Sequence, residues 1–244
     1  FCDYARKLLG TLQAATEHLH QMDDPLSGTL HFGASNFIGI YLIPPFLGRY
    51  RKLAPKLEFE LDILPSAKLL ERLDANKLEF LILSDRIPLD AARHDHRDLC
   101  RDEMVCVVPP DHRLARAGRG TLAELADERW IAHDSDHAWC VINLKRACVA
   151  AGFSPTYSVR TANHTTAIAF VAVGIGVAVM PRLCTESLPE SVVTLEVTNP
   201  TPQRTVHLMV RRAVEHTHAV RLVMNGLIDK VREATGDIVP DAIA

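Results

Sequence analysis

The sequence predicts an α/β fold of two lobes joined by two crossing strands. Short apolar runs suited to buried strands alternate with stretches of helical period from Thr29 to Val231. The alternation falls into two blocks, and runs near residues 104 and 206 stand where the chain would pass from one block to the other and back. The 244 residues, 48% of them hydrophobic, leave room for two modest cores, because a domain commonly holds about 100–200 residues.

Residues 1–22 place Tyr4, Leu8, Leu12, Ala15, Leu19 and Met22 at spacings of four and three, one apolar stripe on a helix of about six turns. Such a stripe needs a partner surface, either another helix, as in a linker or dimerisation helix, or the body of its own domain. Asp23 to Gly28 then stops the helix. Leu30, Phe32 and Ala34 alternate as a strand, and Ser35 and Asn36 follow as turn or capping residues before a short helical turn from Phe37 to Leu42. Pro44 and Pro45 open the next helix, where their missing N–H groups cost nothing. Leu57, Phe59, Leu61 and Ile63 read as the second strand, Ser66 as the cap of a helix carrying Leu69, Leu70 and Leu73, and Phe80–Leu83 as a buried third strand. Ser35, Asn36 and Ser66 thus share one sheet edge. Capping explains each of them, and ligand contact uses the same N–H groups.

In the second block, Met104–Val108 is a strand ended by Pro109 and Pro110, Thr121-Leu122-Ala123-Glu124 is a capping box, and Trp130–Ala132 is a short strand. A helix carrying Val141, Leu144, Ala147, Cys148 and Ala151 ends at Gly152. Asn163 caps a largely buried helix that Gly174 can end, and Val177–Met180 suits a strand of a parallel sheet stopped by Pro181. Val206–Val210 is a further strand, and 218–231 an amphipathic helix. Two lobes joined in this way would form a hinged cleft, and the helix tip at Asn163, His164 and Thr165, together with the loop containing Asp134, Ser135 and His137, would face it.

Composition narrows the function. A net charge of -3 with scattered lysines and arginines is not the footprint of a nucleic-acid grip. No segment reaches the roughly 18 apolar residues of a membrane span, and no apolar signal core opens the chain. The six cysteines, Cys2, Cys100, Cys106, Cys140, Cys148 and Cys184, have neither a C-x-x-C pair nor metal-ligand spacing, so free thiols in the reducing cytoplasm are expected. His133 and His137 share an i, i+4 spacing but lack the glutamate of H-E-x-x-H, and His94-Asp95-His96-Arg97 reads as a solvated loop, so neither metal nor cofactor is expected. No nucleophile elbow, phosphate loop or complete dinucleotide fingerprint is present, and an enzyme ranks below two binding functions.

The landmarks resemble a known family. Gly28-Thr29-Leu30 with Phe32-Gly33-Ala34-Ser35, Leu42-Ile43-Pro44-Pro45-Phe46, Val107-Val108-Pro109-Pro110-Asp111-His112-Arg113-Leu114, Leu122–Glu128, Ala150-Ala151-Gly152-Phe153 and Val173-Gly174-Ile175-Gly176-Val177-Ala178 up to Met180-Pro181 follow the order found in effector-binding domains of LysR-type transcriptional regulators. The resemblance spans about residues 1–235 and implies two Rossmann-like lobes of the type II periplasmic-binding-protein kind. It divides the chain into a linker and dimerisation helix at 1–24, with Tyr4, Leu8, Leu12 and Leu19 in the oligomer contact, a first lobe of 28–100 plus 207–235, and a second of 101–206. It further implies a small-molecule effector in the cleft, where the helix starts and the loop read above make Ser35, Asn36, Phe37, Ser66, Asp134, Ser135, His137, Asn163, His164 and Thr165 the expected contacts. A homodimer or homotetramer, and DNA bound through a winged helix-turn-helix outside this sequence, complete the expectation. The alternative is a solute-binding receptor, which would need a signal segment. Asp134 and Asp136 would repel an anionic effector, whereas protonated His137 or His164 would attract one, so the effector's charge stays open.

Overall fold

The computed structural model describes residues 26–84, 90–133, 139–161 and 163–235. The linker helix with Tyr4, Leu8, Leu12 and Leu19, and the loop residues Asp134, Ser135 and His137, lie outside the described residues. In chain order the first elements are β1 (Gly28–Ala34), α1 (Asn36–Tyr41), α2 (Ile43–Leu53), β2 (Leu57–Ile63), α3 (Ser66–Asp74), β3 (Phe80–Leu83) and β4 (His94–Val108). Next come β5 (Arg119–Thr121), β6 (Arg129–His133), α4 (Trp139–Ala150), β7 (Thr156–Thr161), α5 (His164–Ala172), β8 (Ala178–Pro181), β9 (Val193–Thr198), β10 (Gln203–Arg211) and α6 (His218–Thr235). Two units emerge, divided between Cys100 and Arg101 and again between Thr205 and Val206, so β4 and β10 each carry the chain across a boundary.

In the first unit β1 lies parallel to both β2 and β3, with Ala34 opposite Ile63 and Ile82, and β10 pairs antiparallel with β3. All four residues of β3 are buried, which is why its run is apolar without alternation. Phe32 of β1 stacks on Phe80 at 5.0 Å between ring centroids and meets Phe59 edge-on. Pro44 and Pro45 sit in the first turn of α2, where no backbone bond is forfeited. On the far side, a Cβ at Gly226 of α6 would stand 1.7 Å from the Tyr50 hydroxyl of α2, so glycine is what lets these helices approach.

In the second unit β4 carries β8 and β9 antiparallel, and β5 runs parallel to β9. A separate two-stranded sheet pairs β6 with β7 in parallel. The core gathers Cys106, Val108, Leu122, Leu125, Trp130, Cys148, Val177 and Leu195. The capping box is present, with Thr121 N donating to Glu124 at 2.7 Å and Glu124 N to the Thr121 hydroxyl at 3.3 Å.

Three expectations need correction. His94–Arg97 is not a loop but the start of β4, whose charged side chains are held by neighbours: Arg97 pairs with Asp95 at 3.0 Å and with Glu215. The run at Val177–Met180 makes one parallel bridge, Val177 to Trp130, and from Ala178 runs antiparallel to β4. A continuous apolar run reports burial on two faces and says nothing of direction. Strands β5 and β9 had no place in the expected order: β5 has three residues and no apolar pattern, whereas Val193, Leu195 and Val197 of β9 do alternate.

One polar interaction pins the second unit's interior. Asp102 of β4 accepts two bonds from the Arg204 guanidinium of β10, at 2.9 Å and 2.8 Å, and its other oxygen accepts from Leu183 N at 3.1 Å. Both side chains are at most 1% exposed. Breaking a buried pair leaves an uncompensated charge, so Asp102→Ala should cost about 3–5 kcal/mol. Urea denaturation checks this, and a loss below about 0.5 kcal/mol, the range of ordinary surface substitutions, would contradict it.

Candidate functional site

The site is built on the β6–β7 pair. Gly176 has no room for a side chain, because a Cβ there would lie 2.3 Å from the Arg129 carbonyl. That close approach lets Val177 N reach Arg129 O at 2.8 Å and Ile131 N reach Val177 O at 2.8 Å, locking β6 beside the segment that enters β8. Gly174 does a different job. With φ at +76° it ends α5 in a left-handed turn, where its own N–H bonds to Val171 O and that of Ile175 to Phe170 O. At the other end of α5, Asn163 Oδ1 accepts from Thr165 N at 2.7 Å and Thr166 N at 3.3 Å.

These elements frame a recess of about 500 Å³, counting its open mouth. Its apolar wall comes from Met104, Trp130, Ile131, Val141, Leu144 and Val179, and its polar groups from Cys140, Lys145, Tyr157, Arg160 and His164. Trp130 is fixed by its indole N–H, which donates to Leu125 O at 3.0 Å, and by Phe153 against its ring. The Arg160 guanidinium lies 4.7 Å from the centre of the Tyr157 ring, an orienting cation–π contact. Lys145 and Arg160 are both cationic, and no carboxylate stands among the described lining residues. Composition suits a small organic ligand with an apolar body and a negative end.

The thiols divide by environment. Burial pushes Cys106 upward, and Cys148 and Cys184 up to about 12, so these sulfurs stay protonated and inert. Cys140, half-buried, lines the recess.

Of the expected contact residues, His164 is buried and lines the recess, while Asn163 and Thr165 are exposed at the same helix tip. The parallel register of His133 with Thr161 brings the end of β6 and the approach to that tip to one edge of the β6–β7 pair. In the first unit, the alignment of Ala34 with Ile63 puts Ser35, Asn36 and Phe37 at the same sheet edge as Ser66. Ser35 stands at the cap position of α1, but its hydroxyl makes no capping bond and, buried, has no partner among the described residues. Ser66 is not a cap. Pro65, extended at ψ 144°, holds that position, its carbonyl accepting from Lys68 and Leu69, and Ser66 is the first helical residue. Lys145, Tyr157 and Arg160 are lining residues that a search for helix starts does not find, and Cys140, the second residue of α4, is a further lining residue not among the expected contacts. The signal was the Tyr157–Arg160 strand leading into the Asn163 helix, whose polar alternation reads as an edge strand with side chains to spare.

Residues 23–232 match the family model described as the LysR substrate binding domain, and the chain belongs to that family. It is 28% identical over 239 residues to the DNA-binding transcriptional dual regulator OxyR of Escherichia coli strain K12, an alignment covering 94% of this chain and 77% of that protein. It is 26% identical over 247 residues to the HTH-type transcriptional regulator ShiR of Corynebacterium glutamicum, covering 99% and 77%. Among solved structures, the BenM effector binding domain with its effector benzoate superimposes with a TM-score of 0.74 at 18% identity, covering 88% of this chain and 97% of that one. The reduced form of OxyR does so with 0.65 at 26% identity, covering 85% and 97%. The fold is therefore the type II periplasmic-binding-protein-like one, and the chain is the ligand-sensing domain of a LysR-type transcriptional regulator. No described helix is long and apolar enough to cross a membrane.

Because Asn163 satisfies two N–H groups at the helix tip, Asn163→Ala should cost about 1 kcal/mol, with Asn163→Asp retaining most of it. Urea unfolding of the three proteins measures both. Equal midpoints for wild type and Asn163→Ala would contradict the capping role.

Proposed function

We propose that the recess of the second unit receives a small organic anion and that its occupancy sets the activity of the regulator to which this domain belongs. The observation that carries this is the pairing of two cations, Lys145 and Arg160, with an apolar wall and no carboxylate among the described lining residues. A guanidinium can hold a carboxylate through two parallel bonds, and a hydrogen bond to a charged group contributes about 1.5–3 kcal/mol. Tyr157 beneath Arg160 fixes that fork before ligand arrives, which lowers the ordering cost of binding. The apolar part of the ligand would lie on Trp130 and Val179.

The reading extends to residues at helix starts. His164, Asn163 and Thr165 would contact the effector from the tip of α5, with Asp134, Ser135 and His137 from the segment before α4, Asp134 meeting a hydrogen-bond donor of the effector away from its negative end. Ser35, Asn36, Phe37 and Ser66 are proposed as contacts on the same ground in the first unit. The buried, unpartnered hydroxyl of Ser35 supports this, since such groups in native proteins are ordinarily paired. Binding acts only by differential affinity for two conformations. The whole regulator would bind DNA through a segment outside this sequence, work in the cytoplasm as a homodimer or homotetramer with Tyr4, Leu8, Leu12 and Leu19 in the contact, and catalyse nothing.

A second reading comes from relatives named hydrogen peroxide-inducible genes activators, one of them from Dickeya chrysanthemi at 27% identity over 212 residues, 86% of this chain and 68% of that protein. Here a thiol would report oxidation, and Cys140 is the candidate because it is half-buried at the recess while Cys106, Cys148 and Cys184 are held protonated.

Thermal-shift titration with a panel of aromatic and aliphatic carboxylates, and their neutral amides, distinguishes the two. The anion reading predicts that some carboxylates raise the melting temperature, that their amides do not, and that Arg160→Ala or Lys145→Ala weakens binding by about tenfold or more, one factor of ten being about 1.4 kcal/mol. Equal binding of amides, or unweakened variants, would overturn it. The thiol reading instead predicts that dilute peroxide modifies Cys140 first and that Cys140→Ser removes the response.

A further inference from the structure

The side chains of His96 and Asp98, two apart on β4, converge with that of His207 on β10, the neighbouring strand of the sheet. Residues two apart on a strand share a face, so the strand period itself aims the first two at the third. Three ligand atoms meet: His96 Nε2 and His207 Nδ1 are 3.1 Å apart, His207 Nδ1 and Asp98 Oδ1 are 2.7 Å apart, and His96 Nε2 and Asp98 Oδ1 are 3.6 Å apart. All three residues belong to the first unit.

Protons alone serve this triangle poorly. If His207 Nδ1 carries its proton toward Asp98, it has no lone pair to offer His96. If it is bare, its lone pair faces the carboxylate at 2.7 Å. A cation at the centre removes the conflict, because all three atoms then act as donors of electron pairs to it. The spacing agrees: a tetrahedral ion with bonds of about 2.0–2.1 Å has ligands about 3.3 Å apart, and the observed edges lie on both sides of that value.

We propose that His96, Asp98 and His207 form a binding site for a divalent transition-metal ion of the zinc class, with water as the fourth ligand. Two imidazoles and one carboxylate select zinc and its neighbours over calcium and magnesium, which prefer all-oxygen shells. His207 is 4% exposed at its side chain and fixed in β10, whereas His96 and Asp98 are 38% and 53% exposed, leaving a path for entry and a side open to solvent. The site shares no residue with the anion recess and does not rest on it. An ion held there would cross-link β4 to β10, the two strands that carry the chain across its unit boundaries.

The test is titration of Zn²⁺ and Co²⁺ into the whole chain after removal of metal and reduction of its thiols. One equivalent should bind, with visible cobalt bands of a four-coordinate nitrogen and oxygen site and no thiolate charge-transfer band. Even outer-sphere partners of metal ligands change affinity about 10–100-fold, so His96→Asn and Asp98→Asn, both at exposed positions, should each weaken binding at least tenfold while leaving the circular dichroism unchanged. Absence of binding, a thiolate band, or equal affinity in wild type and both variants would overturn the proposal.

Discussion

The buried ion pair of Asp102 and Arg204 is the constraint around which the second unit is arranged. It ties β4 to β10 and, through Leu183 N, to the turn that follows β8. A carboxylate and a guanidinium withdrawn from water cost several kcal/mol each, and the three bonds that Asp102 accepts leave these segments little freedom to shift, although Arg204 Nη1 has no hydrogen-bond partner among the described residues. The recess inherits that rigidity. Met104 lies two residues beyond Asp102 and Pro181 two before Leu183, and both line the recess. The backbone adds a further tie there, Met104 N donating to Pro202 O at 2.8 Å.

On the opposite wall, steric fit does the positioning. Gly176 admits the Arg129 carbonyl at a distance no side chain allows, which holds β6, and with it Trp130, against the strand that enters β8. Asn163 and Gly174 then fix the two ends of α5, so His164 is presented by a helix capped at both ends. Lys145 from α4 and Arg160 from β7 bring positive charge to a pocket whose other lining is largely apolar.

Much of the fold was legible because its signals are local. The proline pair at 44 and 45, the Thr121–Glu124 box, the Asn163 cap and the Gly174 stop each report their own backbone, and the structure shows each of them. Interactions between distant segments left less trace. His94–Arg97 read as a loop because its charges looked destined for water, whereas Glu215, 118 positions from Arg97, supplies a partner. The direction of β8 depends on β4, which lies far away in sequence and is not encoded in an apolar run. The candidate site shows the same split. His164 could be found from a helix start, but Lys145 and Arg160 face one another's pocket only because α4 and β7 pack on a common core.

A small organic anion is proposed to occupy the recess lined by α4, β6 and β7. A crystal structure of the chain with the carboxylate that raises its melting temperature most tests this directly. Density for that molecule is expected against Trp130, with its carboxylate within hydrogen-bond distance of Arg160 or Lys145. A carboxylate bound elsewhere, with the recess filled only by solvent, would contradict it.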